Sequence, residues 1–438
     1  MNRHVTRPRA LLVNPWIYDF KAFDFWNKPV GLLILSSLLR KFGFELDFID
    51  CMDRLSPHYT TNTRTDMWGR GKYHSEEVDR PKILKVVPRR YKRYGIPREI
   101  FAHAVRDLTI PDFIFITSSM TYWYQGVFEA IRILRQTFPH AHIVLGGIYA
   151  TLCKRHARKF SGADTIIAGA VEEHIPELTA ALGLLPGPHT MPYAFASDYS
   201  LYEKLRYAVT LTSRGCPLNC TYCATKVLCG GFTTASVDTV ISQIDTIQRK
   251  TNNIAFFDDA LLYNESFPEL LRTIIDKKYH LDLHASNGLH CRYITEEIAR
   301  LMFEANFKTI YLSLETTNPV VQQQTGGKVN TDEFRKAVKL LTKTGFTPNQ
   351  IHAYILYGMP GQGYDEIIDS IKLCRDLRVN PHLCEFSPIP HTVEYHKTGF
   401  DEDTDPLHHN NLFYTWYYPE PKTDLYKRIK GYLSQAHR

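Results

Sequence analysis

The stretch Cys216-Pro-Leu-Asn-Cys220-Thr-Tyr-Cys223 places three thiols within eight residues, in the spacing Cys-x-x-x-Cys-x-x-Cys. Thiolates this close along the chain can converge on one iron–sulfur cube. A [4Fe–4S] cluster has four irons, so three Cys ligands leave one iron free to bind a small molecule and pass it an electron. We therefore expect Cys216, Cys220 and Cys223 to be the protein ligands of such a cluster.

Three other interpretations of these thiols compete with the cluster. Free Cys is common in protein cores, and the chain contains nine. A zinc site usually takes two Cys pairs or one pair with His, and no second Cys-x-x-Cys occurs here. A disulfide framework disagrees with the odd Cys count and with the lack of a secretory signal. The other thiols are scattered, as single buried residues would be: Cys51, Cys153, Cys229, Cys291, Cys374 and Cys384.

The bulk composition indicates an ordinary globular protein. A chain of 438 residues is long enough for two or three domains, and it is 44% hydrophobic and 22% charged. Its net charge of +6 is too weak to indicate nucleic-acid binding without a basic patch. No apolar run approaches the ~20 residues of a membrane span, and no signal peptide is evident. We expect a cytoplasmic monomer that does not bind nucleic acid.

The N-terminal part, residues 1–182, alternates short apolar strands with helices. This alternation predicts a parallel, doubly wound, Rossmann-like sheet, which binds ligands at the carboxyl ends of its strands. Residues 52–100 interrupt the pattern with many charges, and we interpret this insertion as a solvated basic loop. The alternative is a segment that wraps an anionic ligand or partner. The predicted strands span 10–14, 44–50, 112–117, 142–145 and 164–168, and the predicted helices span 31–40, 126–137 and 171–182.

A second series of strands and helices begins at residue 207. Residues 183–206 hold several Pro and Gly residues and are predicted to be a linker. The β/α units of residues 207–395 predict a partial (β/α)6 barrel with the Cys loop directly after its first strand. Residues 396–438 are predicted to be an aromatic-rich tail that ends in a helix. The predicted strands span 207–212, 253–257, 281–285, 308–314, 350–357 and 382–387, and the predicted helices lie near 236–249, 266–277, 295–305, 331–344 and 364–377.

From Cys216 through the whole second half, the chain resembles the radical S-adenosylmethionine (SAM) enzymes. That family places an aromatic residue just before the third Cys, beside the adenine, and Tyr222 holds this position. Later strand ends also match: Phe256-Phe-Asp-Asp-Ala260, Asn287-Gly-Leu-His-Cys-Arg292, Ser313-Leu-Glu315 and Ile355-Leu-Tyr-Gly-Met-Pro-Gly361. The resemblance implies that SAM is bound by Tyr222, Asp258, Asn287, Ser313, Glu315 and Gly358.

The first half resembles the cobalamin-binding domain that precedes the barrel in one subgroup of that family. Ser118-Ser-Met-Thr121 holds the place of its Ser/Thr turn, and Gly146-Gly147 that of its double glycine. A double glycine lets a flat benzimidazole tail lie against the backbone, and nearby hydroxyls can bind its polar edge. A tight strand-to-helix turn would also account for the two glycines. The resemblance implies cobalamin contacts from Ser118, Ser119, Met120, Thr121, Tyr122, Gly146, Gly147 and Tyr149.

Two features depart from the family pattern. The Asp-x-His-x-x-Gly motif, whose His ligates cobalt in some cobalamin proteins, is missing from the first domain. This agrees with radical members that leave the lower axial face of cobalt without His. Relatives often carry Pro-Gly-Thr after the sixth strand, and here the sequence is Pro390-His391-Thr392.

The resemblance implies methylation of an unactivated carbon through a 5′-deoxyadenosyl radical and methylcobalamin. The substrate would be a small molecule or peptide, and the electron donor a carrier such as flavodoxin or ferredoxin. Candidate catalytic residues are His284, Glu385 and His391, while only one of the adjacent Asp258 and Asp259 should face the barrel mouth. Two alternatives stay open: a cobalamin-containing radical enzyme that cyclises, oxidises or rearranges its substrate, and a non-enzymatic cobalamin sensor.

Overall fold

A computed structural model describes residues 7–418, except 62, 171–173, 175–179 and 181–195, and residues 422–436. Of the predicted helix 171–182, only residues 174 and 180 are described. Most of the predicted linker, residues 183–195, also lies outside the described residues. The chain divides into two compact units. The first comprises the described residues of Met1–Lys82, Pro88–Arg206 and Glu402–Leu407, and the second those of Ile83–Val87, Tyr207–Asp401 and His408–Arg438. No helix in this described part is long and apolar enough to cross a membrane.

The first unit is built on a parallel sheet. In chain order its strands are β1 (Arg9–Asn14), β2 (Ile17–Asp19), β3 (Glu45–Asp50), β4 (Ser75–Glu77), β5 (Lys92–Tyr94), β6 (Phe113–Ile116), β7 (His142–Leu145) and β8 (Thr165–Ile166). Its helices are α1 (Val30–Lys41), α2 (Arg98–Arg106), α3 (Tyr124–Thr137), α4 (Ile148–Leu152) and α5 (Lys154–Phe160). The parallel sheet has the order β3-β1-β6-β7-β8, so the strand order reverses between β1 and β6. The doubly wound sheet is confirmed, and such a reversal is where open α/β sheets bind ligands.

Apolar residues at helical spacing attach α1 to this sheet. Leu32, Leu35 and Leu39 lie on one face of α1 and pack in a cluster with Leu12 and Phe115 of the central strands. The strands are short and apolar because both faces of a parallel sheet are covered. This packing brings the ends of β1, β6 and β7 to one edge of the sheet.

The interpretation of residues 52–100 as a solvated loop is wrong. Within this segment β5 pairs antiparallel with β4 and also with β2 from outside the segment, in a sheet of order β2-β5-β4. Tyr73, Tyr91 and Tyr94 are buried, and Arg93 is buried while its guanidinium binds the Glu76 carboxylate at 2.6 Å. Burial is carried here by tyrosines spread among paired charges, which leave no apolar period in the sequence.

The second unit is a partial barrel, as predicted. Its strands are β9 (Ala208–Thr210), β10 (Ser213–Arg214), β11 (Thr233–Thr234), β12 (Asn253–Phe256), β13 (Asp282–Leu289), β14 (Phe307–Glu315), β15 (Ile351–Tyr357) and β16 (Asn380–Glu385). Its helices are α6 (Thr225–Cys229), α7 (Val237–Ile247), α8 (Phe267–Asp276), α9 (Glu296–Glu304), α10 (Pro319–Gln324), α11 (Thr331–Thr344), α12 (Tyr364–Asp376), α13 (Val393–His396), α14 (Asn411–Tyr417) and α15 (Thr423–Ala436). The parallel sheet has the order β16-β15-β14-β13-β12-β9. Each strand thus pairs with the next along the chain, and the Cys loop follows the edge strand β9.

Candidate functional site

The three Cys residues of the motif lie on the loop between β10 and α6. Cys216 and Cys220 are half-buried and Cys223 is exposed, and all three thiols are free. Burial raises the pKa of Cys216, and it raises the pKa of Cys220 to about 11. The Cys223 charge adds to both shifts, so the thiols are close enough to interact. As placed, no three His, Cys, Asp or Glu side chains of the described residues are grouped tightly enough to hold a metal ion.

The Asp258 carboxyl binds Thr212 and Ser213, the residues at which the chain enters this loop. Its Oδ1 accepts hydrogen bonds from the backbone N–H and hydroxyl of Thr212 (2.9 and 2.7 Å) and of Ser213 (2.5 and 2.7 Å). Asn264 Nδ2 also donates to the Thr212 carbonyl. Burial outweighs these bonds and raises the pKa of Asp258 to about 6. The sequence assigned Asp258 to SAM, but the structure turns its carboxyl toward the loop that carries the thiols.

The carboxylate of the neighbouring Asp259 contacts a different part of the same loop. Its carboxylate interacts with the Gly215 N–H, Arg214 and the Thr225 hydroxyl, although burial raises its pKa overall. The two adjacent carboxylates thus face different partners, and both lie beyond the end of β12 at Phe256, so strand alternation does not set their directions. Both hold the Cys loop between β10 and α6.

A second turn packs directly on the Cys loop. A Cβ on Gly326 would lie 2.8 Å from the Asn219 carbonyl oxygen and 3.0 Å from the Cys220 Cα, and φ of Gly326 is +110°. Only glycine allows this approach at this backbone angle. The Thr221 N–H also donates to the Thr325 carbonyl at 3.2 Å. The turn that follows α10 therefore packs against one side of the Cys loop.

Lys328, in the same turn, is a candidate site residue that the sequence reasoning missed. Its Nζ donates to Glu315 Oε1 at 3.2 Å, and both side chains are largely buried. Burial opposes the Lys328 charge, but Glu315 and the Cys220 thiol outweigh burial and raise the pKa of Lys328. Glu315 adopts a left-handed φ of +62°, which changes the direction of the backbone at the end of β14. A cation and a carboxylate thus stand beside Cys220.

Two buried polar atoms near this pair have no hydrogen-bond partner among the described residues. They are Ser313 Oγ and His290 Nε2. A Cβ on Gly288 would lie 2.4 Å from Ser313 Oγ, so the glycine makes room for that hydroxyl. Burial, with Lys328 and Arg292 nearby, lowers the pKa of His290 to about 3, so its imidazole is neutral at pH 7. His290 had no sequence signal beyond its place in the third-strand motif.

Tyr222 and Gly358 occupy packed positions. Tyr222 packs against an apolar cluster of Met359, Phe386 and Tyr414. Burial raises the pKa of Tyr222, so its hydroxyl is neutral. Gly358 has φ +88°, and a Cβ there would lie 2.6 Å from the Thr415 methyl group. Tyr222 thus attaches the Cys loop to this cluster, and Gly358 lets α14 approach β15.

The remaining sequence candidates of the second unit are Asn287, His284, Glu385 and His391. Asn287 and His284 are held by hydrogen bonds within the fold. Asn287 Nδ2 donates to the Phe257 and Asp258 carbonyls, both at 3.0 Å. His284 is fully buried, with its Nδ1 at 2.9 Å from Thr309 Oγ1. Glu385 is half-buried at the end of β16. His391 is exposed with φ +68°, the left-handed angle that glycine occupies at lower energy.

In the first unit, Ser118 and Gly147 form a tight joint between β6 and β7. The Ser118 hydroxyl donates to the Gly146 carbonyl at 2.6 Å. A Cβ on Gly147 would lie 2.3 Å from the Ser118 carbonyl oxygen, and φ of Gly147 is +91°. Gly147 is therefore required by packing. A Cβ on Gly146 would meet only the Ile167 carbonyl oxygen, at 3.8 Å, so the space beside Gly146 is open.

The other residues assigned to cobalamin divide between surface and core. Ser119 is half-buried, while Met120 is 44% exposed and lies in the turn that follows β6. Thr121 and Tyr122 are buried. Tyr149 is fully buried, and its hydroxyl lies 2.7 Å from His156 Nδ1. Open backbone at Gly146 and an exposed apolar Met120 fit a broad flat ligand, whereas the buried Tyr122 and Tyr149 belong to the core.

Comparison with known proteins defines the class of the second unit. Residues 210–374 match the model of the radical SAM superfamily. This unit is therefore a radical SAM domain, and the resemblance predicted from the sequence is confirmed. The family implies a [4Fe–4S] cluster and SAM. The chemistry of the donors suits both, because three thiols lie on one loop with Lys328, Glu315, Ser313 and His290 alongside, although as placed the thiols do not converge on a single ion.

The fold of the whole chain is shared with two solved radical SAM proteins. The methyltransferase TsrM from Kitasatospora setae, with tryptophan and a SAM analogue bound, aligns over 92% of this chain and 83% of its own at 15% identity and a TM-score of 0.66. OxsB, a cobalamin-dependent SAM radical enzyme with aqua-cobalamin and SAM bound, aligns over 99% of this chain and 57% of its own, at 12% identity and a TM-score of 0.58.

A curated relative is also similar in sequence. It is an uncharacterized methyltransferase of Pyrococcus horikoshii, 23% identical over 304 residues, or 62% of this chain. The aligned part spans 65% of that protein. The chain thus matches less than two thirds of this relative's length.

Proposed function

We propose that the protein is a cobalamin-dependent radical SAM methyltransferase that acts on an unactivated carbon. The observation that carries this proposal is the Cys216–Cys223 loop on a radical SAM domain, in a chain whose first unit is an open parallel sheet. OxsB binds cobalamin in a shared fold. TsrM and the Pyrococcus relative are named as methyltransferases. When bound, the cluster and SAM supply a 5′-deoxyadenosyl radical, and cobalamin supplies a carrier for a methyl group.

The residues beside Cys220 would hold SAM. Lys328 offers a cation to the SAM carboxylate, and Glu315 offers an acceptor to its amino group. The buried Ser313 hydroxyl and His290 Nε2, which lack partners among the described residues, are available for a polar edge of the ligand. Because Lys328 and Glu315 already pair at 3.2 Å, each holds the other ready for an opposite charge of a zwitterionic ligand.

The edge formed by β6 and β7 would hold cobalamin. Gly146 leaves backbone open to a flat group, and Met120, two residues after Ser118, presents an exposed apolar side chain. Gly147 and Ser118 act on the ligand indirectly, because they set the distance between the two strand ends. No His is proposed as a cobalt ligand.

The substrate and the electron donor are assigned by chemical class. We propose a small-molecule or peptide substrate, a one-electron carrier such as flavodoxin or ferredoxin, and action as a cytoplasmic monomer. Of the sequence candidates, Glu385 keeps a half-buried carboxylate at the end of β16, which places it for substrate contact better than the buried His284.

Anaerobic reconstitution tests the proposal. The full chain is loaded with iron, sulfide and hydroxocobalamin, and iron, sulfide and cobalt are counted per chain. Replacing Cys216, Cys220 and Cys223 with Ala should abolish iron binding, while the buried Cys374→Ala on α12 should not. With dithionite and SAM, the methyltransferase should form both 5′-deoxyadenosine and S-adenosylhomocysteine. 5′-Deoxyadenosine alone would favour cyclisation, oxidation or rearrangement, and absence of iron would overturn the assignment.

A further inference from the structure

We propose that Glu394 and Lys397 form a charge pair that positions the Cys loop and tunes the reduction potential of its cluster. The proposal rests on the proposed cluster at Cys216, Cys220 and Cys223. It assigns to α13 a positioning role for the loop that no sequence motif indicates.

The first observation is the contact between α13 and the middle of the Cys loop. The Thr221 hydroxyl donates to Glu394 Oε1 at 2.8 Å, and the Glu394 N–H donates to the Thr221 carbonyl at 3.1 Å. Thr221 follows Cys220 directly and precedes Cys223 by two residues. Two bonds in opposite directions therefore hold the segment between two of the three thiols.

The second observation is the burial of this carboxylate. The Glu394 side chain is 2% exposed, and its Oε2 has no hydrogen-bond partner among the described residues. A buried carboxylate with an unused oxygen is costly, so its presence needs a compensating role. Isosteric Gln would keep an acceptor for the Thr221 hydroxyl without the charge.

The third observation is that Lys397, on the surface side, is the one cation that the described part of the chain places within ion-pair distance of Glu394. Lys397 Nζ lies 2.8 Å from Glu394 Oε1, one helical turn along the chain, and the Lys397 side chain is 54% exposed. The negative charge is thus buried, whereas the positive charge is solvated. The two charges do not cancel equally at the Cys loop, because water screens the exposed one more strongly.

These facts predict the direction of an electrostatic effect. Reduction adds one negative charge to a cluster, and nearby net charge is one of the factors that set its potential. Removing the Glu394 charge should raise the midpoint potential, because repulsion of the added electron falls. Removing the Lys397 charge should lower the midpoint potential by a smaller amount, because an uncompensated carboxylate is left.

The test is an EPR-monitored dithionite titration of the reconstituted full chain. The variants are Glu394→Gln, Lys397→Met and Thr221→Val, and Glu296→Gln, which breaks an exposed ion pair with Lys343, is the control. We expect opposite shifts for Glu394→Gln and Lys397→Met, with about four irons per chain in both. We expect Thr221→Val to lose iron to a chelator several-fold faster, with a smaller change in potential.

The outcomes distinguish a failure of the charge-pair role from a failure of the proposed cluster. Shifts in the same direction for Glu394→Gln and Lys397→Met, or unchanged potentials with normal iron content, would overturn the charge-pair role. If Glu394→Gln does not fold, Lys397→Met against Glu296→Gln still decides the sign. If the wild-type chain binds no iron, the cluster assignment itself fails.

Discussion

Asp258 provides a quantitative test of how the Cys loop is held. Asp258→Ala removes the single oxygen that accepts four hydrogen bonds from Thr212 and Ser213, both of which are fully buried. The two hydroxyl donors can rotate toward other acceptors, but the two backbone N–H groups cannot. A buried donor without a partner costs about 1–3 kcal/mol, so the free energy of unfolding should fall by about 4 kcal/mol at pH 4, where the Asp258 carboxyl is protonated and its burial carries no charge penalty.

The assay is urea unfolding of the apo chain followed by circular dichroism, with Glu269→Ala at an exposed position of α8 as control. The control should change the free energy of unfolding by less than about 0.5 kcal/mol. A loss below about 1 kcal/mol in Asp258→Ala would refute the reasoning, since it would mean that the loop does not depend on this carboxylate.

The same residue predicts a pH dependence with a defined sign. Burial raises the pKa of Asp258 from 3.8 to about 6, so the folded chain holds this proton more tightly than the unfolded chain does. The stability that the proton contributes is fully present below the unfolded pKa of 3.8 and is lost as the pH rises through 6. At about 1.4 kcal/mol per pKa unit, the loss is about 3 kcal/mol. Asp258→Asn carries no such proton, so parallel pH profiles for wild type and Asp258→Asn would contradict this prediction.

Three further outcomes follow from the geometry of the site and of its supports. Lys328→Met should weaken SAM binding about 10- to 100-fold in equilibrium dialysis, because a charged hydrogen bond is lost; Lys343→Met, on the exposed side of α11, should not, and equal affinities would exclude Lys328 from the site. His391→Gly should raise the free energy of unfolding by about 1 kcal/mol, because φ is +68°; a decrease would show that the His391 side chain makes a stabilising contact. Gly147→Ala should destabilise the first unit, whereas Gly146→Ala should fold normally and weaken hydroxocobalamin binding measured by absorbance; the reverse pattern would remove Gly146 from the proposed site.

The strands and the Cys loop could be predicted because their signals are local. Parallel strands are continuous apolar runs bounded by turn residues, and the three thiols are close in the chain before it folds. The antiparallel sheet that β4 and β5 form with β2 could not be predicted, because the buried residues of 52–100 are tyrosines and paired charges with a few scattered apolar residues, and they follow no period.

The supports of the site were missed for a different reason. Lys328, His290 and Glu394 come from the turn after α10, the end of β13 and α13, and each is far from Cys220 in sequence. Their residue types are ordinary on a protein surface, so only burial and contact distinguish them. Asp258 shows the same limit, because its position at a strand end was predicted, but its orientation toward Thr212 and Ser213 was not.

By itself, the sequence determined the chemistry available to this protein and the order of its elements. Thiol spacing and apolar periodicity are properties of neighbouring residues, and they are present in the unfolded chain. The tertiary structure decided which charges surround the thiols, which glycine is open to a ligand and which is filled by packing. Those properties depend on burial and on distances between segments far apart in the chain, and these exist only after folding has removed water from between them.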